Sequence, residues 1–549
     1  MMSAGRQLWG RAHKLSQYGH HEYLSMMRLH RCLLIWALTV IAGCAGPVRA
    51  PFEAPEEEKA LPAAPSGPLA SLEHHIQNRV GIRDPIDNPA AISGFKLLDR
   101  GEDALRWRLA LIDAASQSID TQYYLYHGDS TGLIFTSRLL AAADRGVRVR
   151  VLIDDMGTLA LNPSQKKLRD SIGALMIAHP NISFRLFNSS DNRSALGRGW
   201  DFATDFEQLN HRMHNKSLTV DNRATVVGGR NIGDEYMGLN SHFNFRDIDV
   251  MGIGPVARQT SGVFDLFWNS GWVIHPNQAT RDEAAAAAPS QRAAMERELR
   301  RSEELERFSL TPQSWESEFS ALLRTLHLGS SEVLTDRPGP DGISNDLYEW
   351  ITTTIPQVKE ELLVTNAYLI PDTSGVSMLA GLTENGVDIK IHTNSLASHD
   401  VPAVNSHYKA WRAPMLQAGA SLYEARHDAA IKDSVVDTLP ISAKYMGLHS
   451  KSMVIDRRLA VIGSANLDPR SAFLNSEMIA VIDSEGLAEE LAQIILRDMA
   501  PSNSWEVKLD DDGKLQWQND VETTQRQPTR DSFQPIADWF FMLFPKRFY

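Results

Sequence analysis

The chain carries one eight-residue pattern twice. His214-Asn-Lys216-Ser-Leu-Thr-Val-Asp221 is followed by Gly228-Gly-Arg-Asn231, and His449-Ser-Lys451-Ser-Met-Val-Ile-Asp456 by Gly463-Ser-Ala-Asn466. In both copies Gly lies 14 residues past the His, and Asn lies 17 past it. A single His-x-Lys-x4-Asp match turns up by chance in roughly one chain in twenty of this size. Two copies with the same downstream offsets point instead to an internal repeat. The flanks agree: Ile119-Asp-Thr-Gln-Tyr-Tyr124, Asp129-Ser-Thr-Gly132 and Arg145-Gly-Val-Arg-Val-Arg-Val are answered by Leu362-Leu-Val-Thr-Asn-Ala-Tyr368, Asp372-Thr-Ser-Gly375 and Asn385-Gly-Val-Asp-Ile-Lys-Ile391. Each unit reads as strand, loop, amphipathic helix, strand, with Gly146 and Gly386 closing the helix before an alternating β-branched run. Strands alternating with helices predict an α/β fold of two pseudo-symmetric halves, each a mixed β-sheet flanked by helices.

The repeated residues suggest a chemistry. Residues i and i+2 of a strand share a face, so His214 is expected beside Lys216 and His449 beside Lys451. A cationic Lys beside a His is a place for a phosphate group. Asn231 and Asn466 would add amide donors, and Gly228, Gly463 and Ser464 a close approach for the anion. One imidazole would attack phosphorus while the other protonates the leaving alcohol. Each His then needs a carboxylate on its other ring nitrogen. Asp221 and Asp456, though part of the catalytic motif, sit at odd parity from the His and at predicted hairpin tips, which suits structural support. Asp247 and Glu477 precede apolar strands at similar distances past the Asn and are the expected orienters, with Asp249 as the alternative in the first half. His392 and His407 read as core or surface histidines, and Asp154-Asp155 as a strand-end turn.

Other chemistries lack their residues. The two cysteines, Cys32 and Cys44, both lie near the N-terminus, so neither a disulfide framework nor a cysteine zinc site can form in the body. No dinucleotide fingerprint or Walker loop appears. A formal charge of −13 argues against a nucleic-acid partner, which usually requires a basic domain.

The paired motifs resemble those of the phospholipase D superfamily. The wider pattern, including Gln122-Tyr-Tyr, His211-Arg-Met-His-Asn-Lys216, Gly228-Gly-Arg-Asn-Ile-Gly-Asp234, Thr393-Asn-Ser-Leu-Ala397 and Asp468-Pro-Arg-Ser471, is similar to the bacterial cardiolipin synthases, the cardiolipin synthase C branch in particular. The resemblance spans about residues 75 to 520. It implies one active site at the interface of the two halves, without metal or cofactor, transferring a phosphatidyl group through a phosphohistidine. It places the nucleophile at His214 and the acid/base at His449, an order the symmetry of the motifs leaves open. Expected substrates are phospholipids: phosphatidylglycerol and, as an open alternative, phosphatidylethanolamine. Head-group hydrolysis is the competing reaction, and a nucleic-acid phosphodiesterase the more distant one.

The termini read as addresses. Residues 1–44 are expected to be a lipoprotein-type signal, with basic residues, a short apolar run and Ile41-Ala-Gly-Cys44, where Cys44 would carry the lipid. A start at Met26 or Met27 would give it ordinary length. This places the protein at a membrane of the bacterial cell envelope, inner or outer being left open. Residues 45–71, rich in Pro, Ala and Glu, read as a flexible tether. The first half is assigned to 72–275, a helical connector to 276–345, the second half to 346–520 and an aromatic amphipathic tail to 521–549. Two readings of the tail stay open: a helix lying in a bilayer interface, or one docked on the body.

Overall fold

The repeat in the sequence becomes a repeat in strand order. In the computed structural model, which describes residues 50–80, 92–158, 163–189 and 209–542, strands Ser118–Tyr123, Arg148–Asp154 and Ile182–Phe187 lie parallel. Ser217–Val220 pairs antiparallel with the first of them, and the sheet continues through Ala224–Gly228 and Asp249–Ile253 to Ser93–Leu98. The second half repeats this order: Glu361–Asn366, Asp388–Asn394 and Ser421–Ala425 are parallel. Lys451–Ile455, Leu459–Gly463, Met478–Asp483 and His327–Thr335 follow antiparallel. The described residues from 50 to 189 and from 211 to 542 belong to one compact unit that contains both sheets.

Local chemistry sets the matching crossovers. Asp129 caps helix Ser130–Asp144 by accepting Gly132 N–H at 3.0 Å, and Asp372 caps Thr373–Glu384 by accepting Gly375 N–H at 2.8 Å. Both helices run out through a left-handed glycine, Gly146 (φ 92°) and Gly386 (φ 86°), into the next parallel strand. Each sheet has its own apolar core: Ile119, Val149, Leu218 and Met251 in one, Leu362, Ile389, Leu422 and Ile479 in the other.

Two boundary expectations are corrected. The stretch read as a flexible tether is, over residues 50–67, an extended strap held on the body. Phe52 N–H donates to Gly271 O, Glu58 N–H to Asn269 Oδ1, Ala60 N–H to Asp265 Oδ2 and Ala64 N–H to Asp221 O. Helix Pro68–Val80 then buries Leu69, Leu72 and Ile76 in the first core. The strap lacks apolar periodicity because backbone bonds, rather than side-chain burial, hold it. The connector is likewise not wholly helical. It does contain helices Gln278–Leu299 and Glu316–Thr325. Strand His327–Thr335, however, pairs with Ser93–Leu98 through one end and with Met478–Asp483 through the other, joining the two sheets. The signal segment and Cys44 lie outside the described residues. Among the described residues no helix is long and apolar enough to cross a membrane.

The motif aspartates brace the hairpins. Asp221 and Asn222 (φ 55° and 51°), like Asp456 and Arg457 (φ 51° and 52°), form two-residue turns with positive φ at both positions, as type I′ hairpins require. The Asp221 carboxylate accepts the backbone N–H groups of Ser116, Gln117 and Ser118 and the Ser116 hydroxyl. Asp456 accepts those of Lys359, Glu360 and Glu361. Each ties its hairpin to the start of the neighbouring parallel strand. Asp221 is fully buried, so Asp221→Ala strands the buried Ser118 N–H and loosens the half-buried donors beside it, and should lower stability by about 2–3 kcal/mol. Asp456→Ala, at a wetter tip, should cost about 1 kcal/mol. Urea denaturation of the two variants checks the order, and equal losses would contradict it.

Candidate active site

Two very short parallel ladders assemble the site. Arg212–Met213 pairs with Asn475–Ser476, and Tyr445–Leu448 with Phe243–Arg246, each ladder joining one half to the other. The register puts Met213 opposite Ser476 and Leu448 opposite Arg246, so the residues that follow, His214 with Glu477 and His449 with Asp247, become neighbours. Backbone bonds fix this: His214 N–H donates to Ser476 O at 2.9 Å and His449 N–H to Arg246 O at 2.8 Å. His214 Nδ1 then lies 2.8 Å from Glu477 Oε2, and His449 Nδ1 2.7 Å from Asp247 Oδ2. An ionised carboxylate can only accept, so both Nδ1 atoms carry the proton and both Nε2 lone pairs are left for chemistry. Each carboxylate comes from the half opposite its histidine.

The carboxylates are themselves held differently. Glu477 accepts the Ser464 hydroxyl at 2.6 Å and the Ser471 hydroxyl at 2.7 Å, while its backbone N–H donates to Asp336. Asp247 accepts Ile248 N–H at 2.8 Å, and Gly229, the counterpart of Ser464, leaves it room: a Cβ there would stand 2.6 Å from Asp247 Oδ1. Asp249, the alternative orienter, instead pairs with Arg108 (2.9 Å) and Arg230 (3.2 Å).

Both lysines are buried and donate to the backbone carbonyl of their own motif histidine. The His-x-Lys segment precedes strand Ser217–Val220 in the first half, and the second-half strand begins at Lys451, so this Lys-to-carbonyl bond, more than strand parity, fixes each ammonium. Lys216 stands 5.3 Å from the Tyr124 ring centre and Lys451 5.6 Å from that of Tyr368, a cation–π arrangement. Burial pulls Lys216 down to about 7, with Lys451 adding repulsion and Glu477 opposing. Burial also lowers Lys451, and it takes His214 to about 4 with help from both lysines, so His214 is neutral at physiological pH. Glu477 and Asp247 stay ionised because their histidine and lysine neighbours outweigh burial.

The remaining expected residues take more structural positions. Asn231 Oδ1 accepts Leu125 N–H at 3.0 Å, while Asn466 keeps its Oδ1 buried and unpaired. Gly228 and Gly463 are required by strand approach: an added Cβ would stand 2.0 Å from Asp249 Oδ1 and 2.2 Å from Met478 O. The cause is the tight hairpin-to-strand packing behind the site. His392 is buried and bonded to the Ser504 hydroxyl, and His407 is also buried.

Sequence reasoning missed several residues around the histidines. Tyr124 meets the His214 ring edge-on at 4.9 Å, and Tyr236 and Phe245 flank His449 at 5.2 and 4.9 Å. Asp154 accepts Met213 N–H at 2.8 Å and Asn394 accepts Leu448 N–H at 2.9 Å, each bracing the residue before a motif histidine. A signal for this pair was present: each lies eight residues past its helix-ending glycine, Gly146 or Gly386. His127, Asp129 and Glu235 also gather ligand-type atoms within 4.8 Å of one another. Against the cost of burial, the Glu235 carboxylate at 3.1 Å raises His127 to about 9, so any metal there would have to displace the imidazole proton.

Two buried ammonium groups beside two neutral imidazole nitrogens suit an anion. Bound anion favours charged Lys216, so above pH 7 binding must take up a proton. Affinity for sulfate, whose own charge is constant there, should be level below pH 7 and fall by about tenfold per pH unit above it. Calorimetric titration between pH 6 and 9 reads this directly, and a flat profile would refute the assignment.

Comparison with known proteins agrees with this layout. The family model described as cardiolipin synthase, PLD-like domain, matches residues 109–268 and 351–499, one segment in each half. Cardiolipin synthase C of Escherichia coli (strain K12) is 34% identical over 446 residues, covering 77% of this chain and 88% of that one. Major cardiolipin synthase ClsA of Bacillus subtilis (strain 168) is 26% identical over 407 residues, covering 74% and 68%. The crystal structure of phosphatidylserine synthase from Haemophilus influenzae Rd KW20 superposes with a TM-score of 0.52 at 14% identity, covering 78% of this chain and 91% of that chain, and so shares the fold. With more than half of its residues inside the two matched segments, this chain belongs to the cardiolipin synthase family of phospholipase D-like enzymes.

Proposed function

We propose that the protein forms cardiolipin by moving a phosphatidyl group from one phospholipid to the head-group hydroxyl of phosphatidylglycerol, through a phosphohistidine and without a metal. The observation that carries this reading is the crossed pair of buried His–carboxylate bonds flanked by two buried lysines. Neutral His214 presents Nε2 to phosphorus. As the P–N bond forms, the P–O bond to the donor head group breaks, and His449 passes its Nε2 proton to the departing alkoxide. The bound phosphodiester supplies the negative charge that lets His449 hold that proton. In the second step the acceptor hydroxyl gives its proton to His449 and attacks phosphorus, releasing His214. Lys216 and Lys451 neutralise the non-bridging oxygens throughout, the work a metal ion would otherwise do. Glu477 and Asp247 hold the ring tautomers and stabilise the imidazolium form.

The relatives' names support a cardiolipin product, and the aromatic rings beside His449 favour an alcohol over water as acceptor; phosphatidylglycerol as acceptor, and phosphatidylglycerol or phosphatidylethanolamine as donor, are what the family resemblance implies. Purified protein given labelled phosphatidylglycerol, with and without phosphatidylethanolamine, should yield labelled cardiolipin; phosphatidic acid as the sole product would make the enzyme a hydrolase. His214→Ala and His449→Ala should each reduce turnover by roughly 10⁴-fold or more, and EDTA should leave the wild type unchanged. Acid quenching should trap label on His214; label on His449 would reverse the two roles.

The same reading places the enzyme at a membrane of the bacterial cell envelope, anchored through a lipidated Cys44. Labelled palmitate should enter the wild type and not Cys44→Ala, and equal labelling of both would remove the anchor.

A further inference from the structure

The C-terminal helix Gln534–Phe541 is inverted with respect to a normal surface helix. Its polar residues face the body and its apolar residues face out. Asp538 is buried, accepting Asn405 Nδ2 at 2.6 Å and Lys409 Nζ at 2.5 Å. Gln534, one turn earlier, is buried too and donates to Leu396 O at 2.8 Å. Outward stand Phe533, Ile536, Trp539, Phe540 and Met542, between 46% and 69% exposed. A polar seat of this kind holds the helix against the protein through Gln534 and Asp538.

We infer that this face is a docking surface for an anionic lipid bilayer, on a helix seated against the segment that carries His399 and Asp400; the inference rests on the preceding reading of a membrane-resident substrate. Three observations favour that occupant. The exposed residues are aromatic and aliphatic, and the sequence continues Leu543-Phe-Pro-Lys-Arg-Phe-Tyr549, the mixture of rings and cations that suits the boundary between acyl chains and phosphate head groups. Five side chains on two turns are far fewer than the roughly 20–30 residues per side of a specific protein interface. The seat also leads to the chemistry. The helix rests on the segment that carries His399 and Asp400. His399 stacks on the Tyr368 ring at 5.4 Å, the Tyr368 hydroxyl donates to Asp400 at 2.7 Å, and the same ring lies under Lys451. Just ahead of the helix, Arg530 caps the rings of Phe243 and Tyr445 at 5.4 and 5.6 Å, on the ladder that positions His449. A bilayer held on this face would be linked to Lys451 through the Leu396–Lys409 segment, His399 and Tyr368.

The test uses the full chain carrying Cys44→Ala, so that no acyl anchor contributes, with and without Ile536→Asn and Trp539→Ser, both on the solvent side. Vesicles of equimolar phosphatidylglycerol and phosphatidylcholine are compared with vesicles of phosphatidylcholine alone. The double substitution should weaken partition onto the anionic vesicles, and turnover of their lipid, by about tenfold or more. Turnover of dihexanoyl phosphatidylglycerol below its micelle concentration should not change, which also shows that the variant is folded. Unchanged vesicle binding in the variant overturns the inference. So does a wild-type dimer in sedimentation that the substitutions dissociate, since the face would then cover a second copy. Should the wild type fail to process the short-chain lipid at all, the functional reading fails, while vesicle binding still decides this one.

Discussion

The site depends on two parallel pairings, each only a few residues long, between strands of opposite halves. The hydrogen bonds from His214 to Ser476 and from His449 to Arg246 set a register in which each catalytic-motif histidine meets a carboxylate it could not reach within its own half. A one-residue slip in a ladder turns a side chain to the opposite face, so these few bonds are decisive for geometry well beyond their own strength. Much of the surrounding structure serves to hold them. Asp154 and Asn394 grip the residue before each histidine, and strand His327–Thr335 spans both sheets, fixing the separation across which the ladders form.

Charge explains why such rigid support is needed. Two lysines, two histidines, Glu477 and Asp247 are gathered in a buried space, where burial alone penalises every charged form. The carboxylates keep their charge because histidine and lysine neighbours compensate them, whereas Lys216, pressed by Lys451, is left with an ammonium that ionises near pH 7. A phosphodiester set against the two lysines adds the negative charge that favours the ammonium form of Lys216, which burial otherwise disfavours. Preorganised cations that are costly in the free protein become favourable as the substrate's charge arrives.

The duplicated motif, the α/β class and the strand–helix–strand run in each half were legible in the sequence because each depends on local periodicity and on a repeat that can be laid over itself. The strap over residues 50–67 was not: its Pro, Ala and Glu content lacks an apolar stripe, and its anchors, such as Asn269 and Asp265, lie about 200 residues away. The glycines after the motifs were read as room for an anion; that the strand behind also needs them was not legible, since Asp249 and Met478, which occupy the space a side chain would fill, come close only in the fold. Tyr236 and Phe245 carried no periodic signal because they reach His449 through tertiary packing. The C-terminal tail left two readings open, and its helix is seated on the body by Gln534 and Asp538 while keeping its apolar side outward.

The halves are alike in outline but not interchangeable. Glu477 is one methylene longer than Asp247, and its two oxygens are bound by Ser464 and Ser471, whereas Asp247 stands against Gly229. A serine at position 229 would collide with Asp247, and a glycine at 464 would leave Glu477 without one of its hydroxyl donors. Carboxylate length and the residue beside it therefore vary together, and each pair keeps its histidine bond near 2.7–2.8 Å. Because each carboxylate serves the histidine of the other half, one half alone would carry an imidazole with an unset tautomer. The crossing makes the two-part chain, rather than either repeat, the smallest unit in which this pair of histidines is complete.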